Sequence, residues 1–200
     1  MVRRGTAARV VLPAVVVALA SGLGACATRG EPDRADRYWT TPDACQLVGP
    51  QKARQLTGAA RGRPQAPPTD TRATCQWPAP PKKARGRPAP PQPPRVLSVA
   101  VTMRNAPVGQ DDVRGTDLAK QDYGRWKQHD RAGRGSGLRG VGDQAFGQFT
   151  DSRGHVVLRD GNVLITVNYT APAQPGPAGR NQVRQRTVDA ARQVAAKARG

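Results

Sequence analysis

Residues 95–103 read RVLSVAVTM, with Leu97, Val99, Val101 and Met103 on one side of an alternation and Ser98, Ala100 and Thr102 on the other. Successive side chains of an extended chain point to opposite faces, so this spacing predicts a strand with one buried face. Working outward, residues 162–170 read NVLITVNYT and place Val163, Ile165, Val167 and Tyr169 on a common face. Asp160-Gly161 just before them is a two-residue hairpin turn, and Gly supplies the positive φ such a turn requires. Together with 144–149 and 155–159 this segment predicts a three-strand meander. Upstream, 71–77 predicts a strand carrying Cys75 and Trp77 on one face and pairing with 95–103. The expected fold class is therefore α+β, with an antiparallel sheet of about five strands.

Three helices are expected around that sheet. Thr41-Pro42-Asp43 has the chemistry of a helix start, with Thr as N-cap, Pro at the first position and an acid in the first turn. After Gly49, Pro50 restarts a helix through Leu56, which Gly58 terminates. An inserted helix is expected over 116–130, where Ala119, Tyr123 and Trp126 share a face. A C-terminal helix is expected from Asn181 to about Ala198, with Val183, Thr187, Ala191, Val194 and Ala198 inward and Arg184, Arg186 and Arg192 largely outward. Between these elements lie Pro- and Gly-rich stretches. Of the 19 prolines, 11 fall between Arg61 and Pro94. Pro78 to Pro94 can form neither a ladder nor a helix interior, so it is read as a disordered, partly polyproline-like insert. Residues 131–140, with four glycines, read as a mobile loop, as do 61–70 and 170–179.

The first 25 residues have the pattern of a processing segment. Arg3, Arg4 and Arg9 precede an apolar run from Val10 to Ala20, too short to span a bilayer and suited to a signal peptide. A twin-arginine signal is the alternative reading of Arg3-Arg4, but Gly5-Thr6 lacks the apolar pair expected there. The run ends Leu23-Gly24-Ala25-Cys26, the arrangement of a lipobox, in which the Cys thiol takes a diacylglyceryl group and becomes the new N-terminus. Cys26 is therefore the expected lipidation site, with 26–40 as lipidated Cys and flexible tether and 41–200 as one extracytoplasmic domain. The remaining Cys45 and Cys75 form an even pair in an oxidising compartment, so a disulfide is expected. Two free thiols or half a metal site are the alternatives; a metal would need further ligands, and the chain has only two histidines.

The chain of 200 residues carries 32 Lys+Arg against 14 Asp+Glu, a net charge of +18. Three arginines leave with the signal segment, and the excess that remains concentrates in the Pro-rich insert and the C-terminal segment. Lys82, Lys83, Arg85 and Arg87 form the densest basic group. Without aromatic residues interleaved, it lacks the stacking platforms of a nucleic-acid groove, and export removes that partner. An anionic membrane or envelope polymer is the polar partner such a group suits; drift toward GC-rich codons in an unconstrained insert is the bland alternative.

The chemistry inventory is thin. Ser152 and His155 sit together on an expected turn, where neighbours in sequence rarely converge as a catalytic dyad. The single Glu31 lies in the tether. Asp111-Asp112 is read as capping or solvated, and Asp143 as a turn residue bonding its own backbone. The glycines around 133–142 lack the strand-to-helix context of a phosphate loop. No catalytic residue, metal ligand or cofactor site is expected.

Asp43-Ala44-Cys45 with Leu47, the helix ending Leu56-Thr57-Gly58, Cys75-Gln76-Trp77, and Gly142-Asp143-Gln144-Ala145 before a meander are together similar to the actinobacterial lipoproteins carrying domain of unknown function 3558. The resemblance covers about 41–200 and implies a lipidated cell-envelope domain; it brings no established activity and no catalytic residues. The basic Pro-rich insert and the high Arg content depart from that pattern. The expected function is a non-enzymatic binding or scaffolding role on the outer face of the cytoplasmic membrane, toward an envelope protein, a hydrophobic ligand or an anionic polymer. The alternative is a polyanion-binding surface protein using the insert and the C-terminal helix.

Overall fold

A computed structural model describes residues 36–80, 93–109, 112–129 and 135–200. The alternation of 95–103 becomes β3 (Val96–Met103), whose odd-numbered side chains are buried while the even-numbered ones stay half-exposed. It lies between β2 (Arg72–Pro78) and β7 (Val163–Thr170), antiparallel to both, with Trp77 opposite Leu97 and Val99 opposite Val167. β6 (Arg153–Asp160) follows on the far side of β7, then β5 (Gln144–Phe149). The two outermost strands, β1 (Arg63–Pro64) and β4 (Ser136–Gly137), complete one open sheet ordered β1-β2-β3-β7-β6-β5-β4.

The sheet thus has seven strands rather than about five. The two additional ones are dipeptides within 61–70 and 131–140, read above as loops. Two residues carry no period to detect, and they become strands only by bonding to β2 and β5.

Helix α1 (Pro50–Thr57) ends as its sequence dictates: Gly58 takes φ 88° and its N–H donates to the Arg54 carbonyl. The last helix, α3 (Pro177–Arg199), begins four residues before the expected Asn181, because Pro177 itself serves as the opening position. Both pack on the face that carries Leu97, Val99, Ile165, Val167 and Tyr169, where α1 buries Ala53 and Leu56 and α3 buries Val183, Ala191 and Val194. The inserted helix α2 (Gly115–His129) covers the opposite face of β6 and β7, with Ala119 and Tyr123 against Phe146, Val157 and Leu164. This explains a difference between strands. β2 and β3 alternate because a helix covers one face; β6 and β7 are buried almost continuously because helices cover both.

Four further expectations are corrected. Residues 41–48 are a turn and not a helix: the Thr41 hydroxyl donates to the Asp70 carbonyl, and Asp43 accepts from the Cys45 N–H at 2.9 Å, closing an Asx turn. The hairpin turn sits one residue later than read, on Gly161-Asn162, since Asp160 pairs with Val163; Gly161 has φ 58°. Trp126 is 44% exposed although it continues the Ala119–Tyr123 stripe, because the sheet does not extend beneath it. The stretch read as tether to residue 40 is built into the domain from Asp36 onward. Asp36 accepts from the N–H groups of Gly115 and Thr116 and from the Thr116 hydroxyl, capping α2 from a distant part of the chain.

Candidate functional site

The most polar interior of the described domain lies where the β6–β7 hairpin turns. Asp160 ends β6 on the face toward α3 and is fully buried. Apolar strand sequence delivers it there, since Val156 and Leu158 precede it at period two. Three groups meet its carboxylate. Tyr38 donates its hydroxyl at 2.7 Å, and Arg37 bonds Oδ1. Arg199, the last residue of α3, reaches it through Nε and Nη2 at 2.7–3.1 Å. Asp143, before β5, accepts from the Gly161 N–H at 2.8 Å and from Arg199 at 3.2 Å. It also lies 3.5 Å from Arg37 and from Arg159. Arg159 is itself buried, donating to Gln144 and to the Gly161 carbonyl. Asn162 clasps the N-terminal segment by accepting from the Tyr38 N–H and donating to the Tyr38 carbonyl, each at 2.9 Å.

The electrostatics follow from those contacts. Burial pushes Asp160 up, but the hydrogen bonds from Arg199, Tyr38 and Arg37 outweigh it and hold the carboxyl below its ordinary value. Burial, then the bonded carboxylate, push the Tyr38 phenol above its ordinary range. The Arg199 guanidinium is raised by its bond to Asp160. Asp160, Tyr38 and Arg199 are each stabilised in their present charge state, so they tie the start and end of the domain to the β6–β7 turn.

Asp143 had been read as a local turn residue; it instead joins this tertiary cluster. The other expectations separate. Cys45 and Cys75 form a disulfide, Cα atoms 5.1 Å apart, joining the turn before α1 to β2. Ser152 lies in the β5–β6 turn, its N–H bonded to the Thr150 hydroxyl, while His155 lies on β6 with Nδ1 2.6 Å from Asn168 Oδ1 across the ladder. The His155 ring is therefore engaged by an amide of β7. Asp112 is exposed, and Asp36 caps α2 in its place. Cys26 and the basic group Lys82, Lys83, Arg85 and Arg87 lie outside the described residues. The ends of the insert are placed: the Ala79 N–H donates to the Arg95 carbonyl at 2.8 Å, closing the stem where β2 meets β3.

On the outer side of α3 a surface groove of about 350 Å³ runs toward the β4 turn. Arg139, Arg184, Arg192, Asn181 and Gln185 rim it over Val188. Arg184 also lies over the Phe149 ring, 5.7 Å from its centroid. Among the described residues no group of three His, Cys, Asp or Glu is placed to hold a metal ion, and no helix is long and apolar enough to cross a membrane.

Comparison of the chain with protein-family models, curated proteins and solved structures gives no match. What is established is the class: among the described residues, an α+β domain with one open seven-stranded antiparallel sheet, three helices and one disulfide.

Neither Arg37, Tyr38 nor Arg199 was singled out from the sequence. Arg199 sits near the chain end and Arg37 in a polar stretch, and only the fold brings them to Asp160. The available signal was an Arg-Asp pair directly after the apolar Val156-Val157-Leu158, since charge at the end of a buried strand calls for partners.

Proposed function

We propose that this protein is a lipid-anchored envelope lipoprotein on the outer face of the cytoplasmic membrane, with a non-enzymatic binding or scaffolding role. The observation that carries the reading is the register of Arg3, Arg4 and Arg9, the apolar run 10–20, and Leu23-Gly24-Ala25-Cys26. The disulfide supports it, because such bonds persist in oxidising compartments. The resemblance to lipoproteins carrying domain of unknown function 3558 points the same way. Cys26→Ala should move the protein from the membrane fraction to the soluble one and abolish the diacylglyceryl mass increment on Cys26; an unchanged membrane fraction would contradict the anchor.

A second reading is favoured by the groove beside α3. Its three arginines outnumber its one acid, Asp189, which pairs with Arg192, so it suits a phosphate- or carboxylate-bearing envelope polymer better than a hydrophobic cargo. Binding to such a polymer should weaken steeply with salt, and Arg184→Ala with Arg192→Ala should weaken it further at low salt. Binding that survives both changes would remove the groove, and deletion of 81–92 without effect would remove the insert.

A further inference from the structure

We propose that the end of the domain formed by the Gly161-Asn162 turn rests on the bilayer surface, with Trp39 as the side chain that enters the lipid interface. The inference rests on the lipoprotein reading above and deepens it by giving the domain an orientation.

Three observations carry it. Trp39 is 84% exposed although both preceding residues are locked: Arg37 binds Asp160, and Tyr38 is clasped by Asn162 through two backbone bonds. An indole held outward on a fixed segment suits a membrane interface, where its amphipathic ring is favoured. Val108, a fully exposed aliphatic side chain, belongs to the connection between β3 and α2. That connection leaves and returns at this same end, for the Arg104 N–H donates to the Asn162 carbonyl and Gly115 is bonded to Asp36.

Reach favours the same end. Ten chain steps separate Cys26 from Asp36, a span of at most ~36 Å. The strands β3 and β7, of eight residues each, place the opposite end of the sheet about 26 Å further away. The turn end can therefore rest on the bilayer with slack in the tether, whereas the opposite end could do so only with the tether drawn out along most of the sheet. The stem of the basic insert, at Ala79 and Arg95, joins β2 to β3 at the opposite end.

Charge points the same way. Arg37 and Arg199 pair with Asp160 and Asp143, Arg104 pairs with Asp122, and the carboxylates Asp70 and Asp112 are exposed nearby. The cations that flank the turn, Arg37 and Arg199, are matched by Asp160 and Asp143, so the Trp39 contact is apolar and does not depend on anionic lipid.

The test uses the full-length mature lipoprotein reconstituted in vesicles of zwitterionic phosphatidylcholine, with and without bromine on the acyl chains as a short-range fluorescence quencher. Trp77 is buried and Trp126 lies on α2, so they are internal references. The expected result is quenching that Trp39→Phe removes almost entirely, that Trp126→Phe leaves in place, and that is unchanged between low and high salt. Quenching that persists in Trp39→Phe, or that appears only with anionic lipid and fades with salt, overturns the proposal and favours the polyanion reading. Intact mass of the same sample separates the two levels. A Cys26 without its lipid overturns the anchor and this orientation together, while a lipidated Cys26 without quenching overturns the orientation alone.

Discussion

Asp160 shows how a buried charge becomes a fastener. Its carboxylate is satisfied by Arg37, Tyr38 and Arg199, which come from the start and the end of the domain. Removing the buried carboxylate leaves the partly exposed Arg37 and Arg199 without their anion and the Tyr38 hydroxyl without its acceptor. Asp160→Asn should therefore lower stability by about 3 kcal/mol at neutral pH, read from the denaturant midpoint. The pH dependence has a definite sign. Asp160 binds its proton more weakly in the folded domain than in the unfolded chain. Its contribution is therefore complete above the unfolded carboxylate value of about 3.9 and is lost as pH falls through the lower folded value. Acid titration of stability should be steeper in the wild type than in Asp160→Asn below pH ~4; equal slopes would show that Asp160 does not carry the effect. Gly62 offers a second residue-level test. A Cβ there would lie 2.4 Å from Cys75 Sγ and 2.5 Å from the Trp77 ring. Since Trp77 and the disulfide are both buried, neither can retreat, and Gly62→Ala should cost about 1–3 kcal/mol, measured as a lowered Tm.

At the scale of elements, α1 is eight residues long and too short to be stable alone. It is held by Leu56 and Ala53 in the core and by the disulfide, which ties the turn before it to β2. The loop closed spans 30 residues, for which chain entropy predicts about 3–4 kcal/mol. Cys75→Ser should reduce stability by that order, with amide exchange rising first in α1 and the 41–48 turn; uniform loosening of β6 and β7 instead would contradict this account. The helix α2 draws its cap from Asp36, far away in the chain. That contact could not be read from sequence, where Asp111-Asp112 stood closer and carried the right chemistry. Capping is decided by which carboxylate the fold brings to the free N–H groups, and the chain entering beside the Gly161-Asn162 turn brings Asp36.

For the whole molecule, the segment 36–38 and the end of α3 lock the same corner of the sheet. A chain beginning at Thr41 lacks Asp36, Arg37 and Tyr38. It should melt clearly below one beginning at Asp33 while keeping the same circular dichroism; identical melting would show the N-terminal clasp to be dispensable. The α+β class, the five longer strands with the buried sides of β2, β3 and β7, the paired cysteines and the end of α1 were all legible, because period-two hydrophobicity, Gly at a helix end and an even cysteine pair are local signals. The two dipeptide strands were not, because their extended conformation comes from bonding to β2 and β5. Trp126 shared the expected helical spacing yet faces outward, since spacing defines a stripe while the width of sheet beneath decides how much of it is covered. By itself, the sequence determined which stretches could be strands or helices and which sides of them had to be buried, since those choices depend on side chains within a few residues of one another. Only the tertiary structure decided that Arg37, Tyr38, Asp143, Asp160 and Arg199 would share one buried cluster. Their meeting depends on strand order and helix length, and buried charges settle only where separate segments bring them compensating partners.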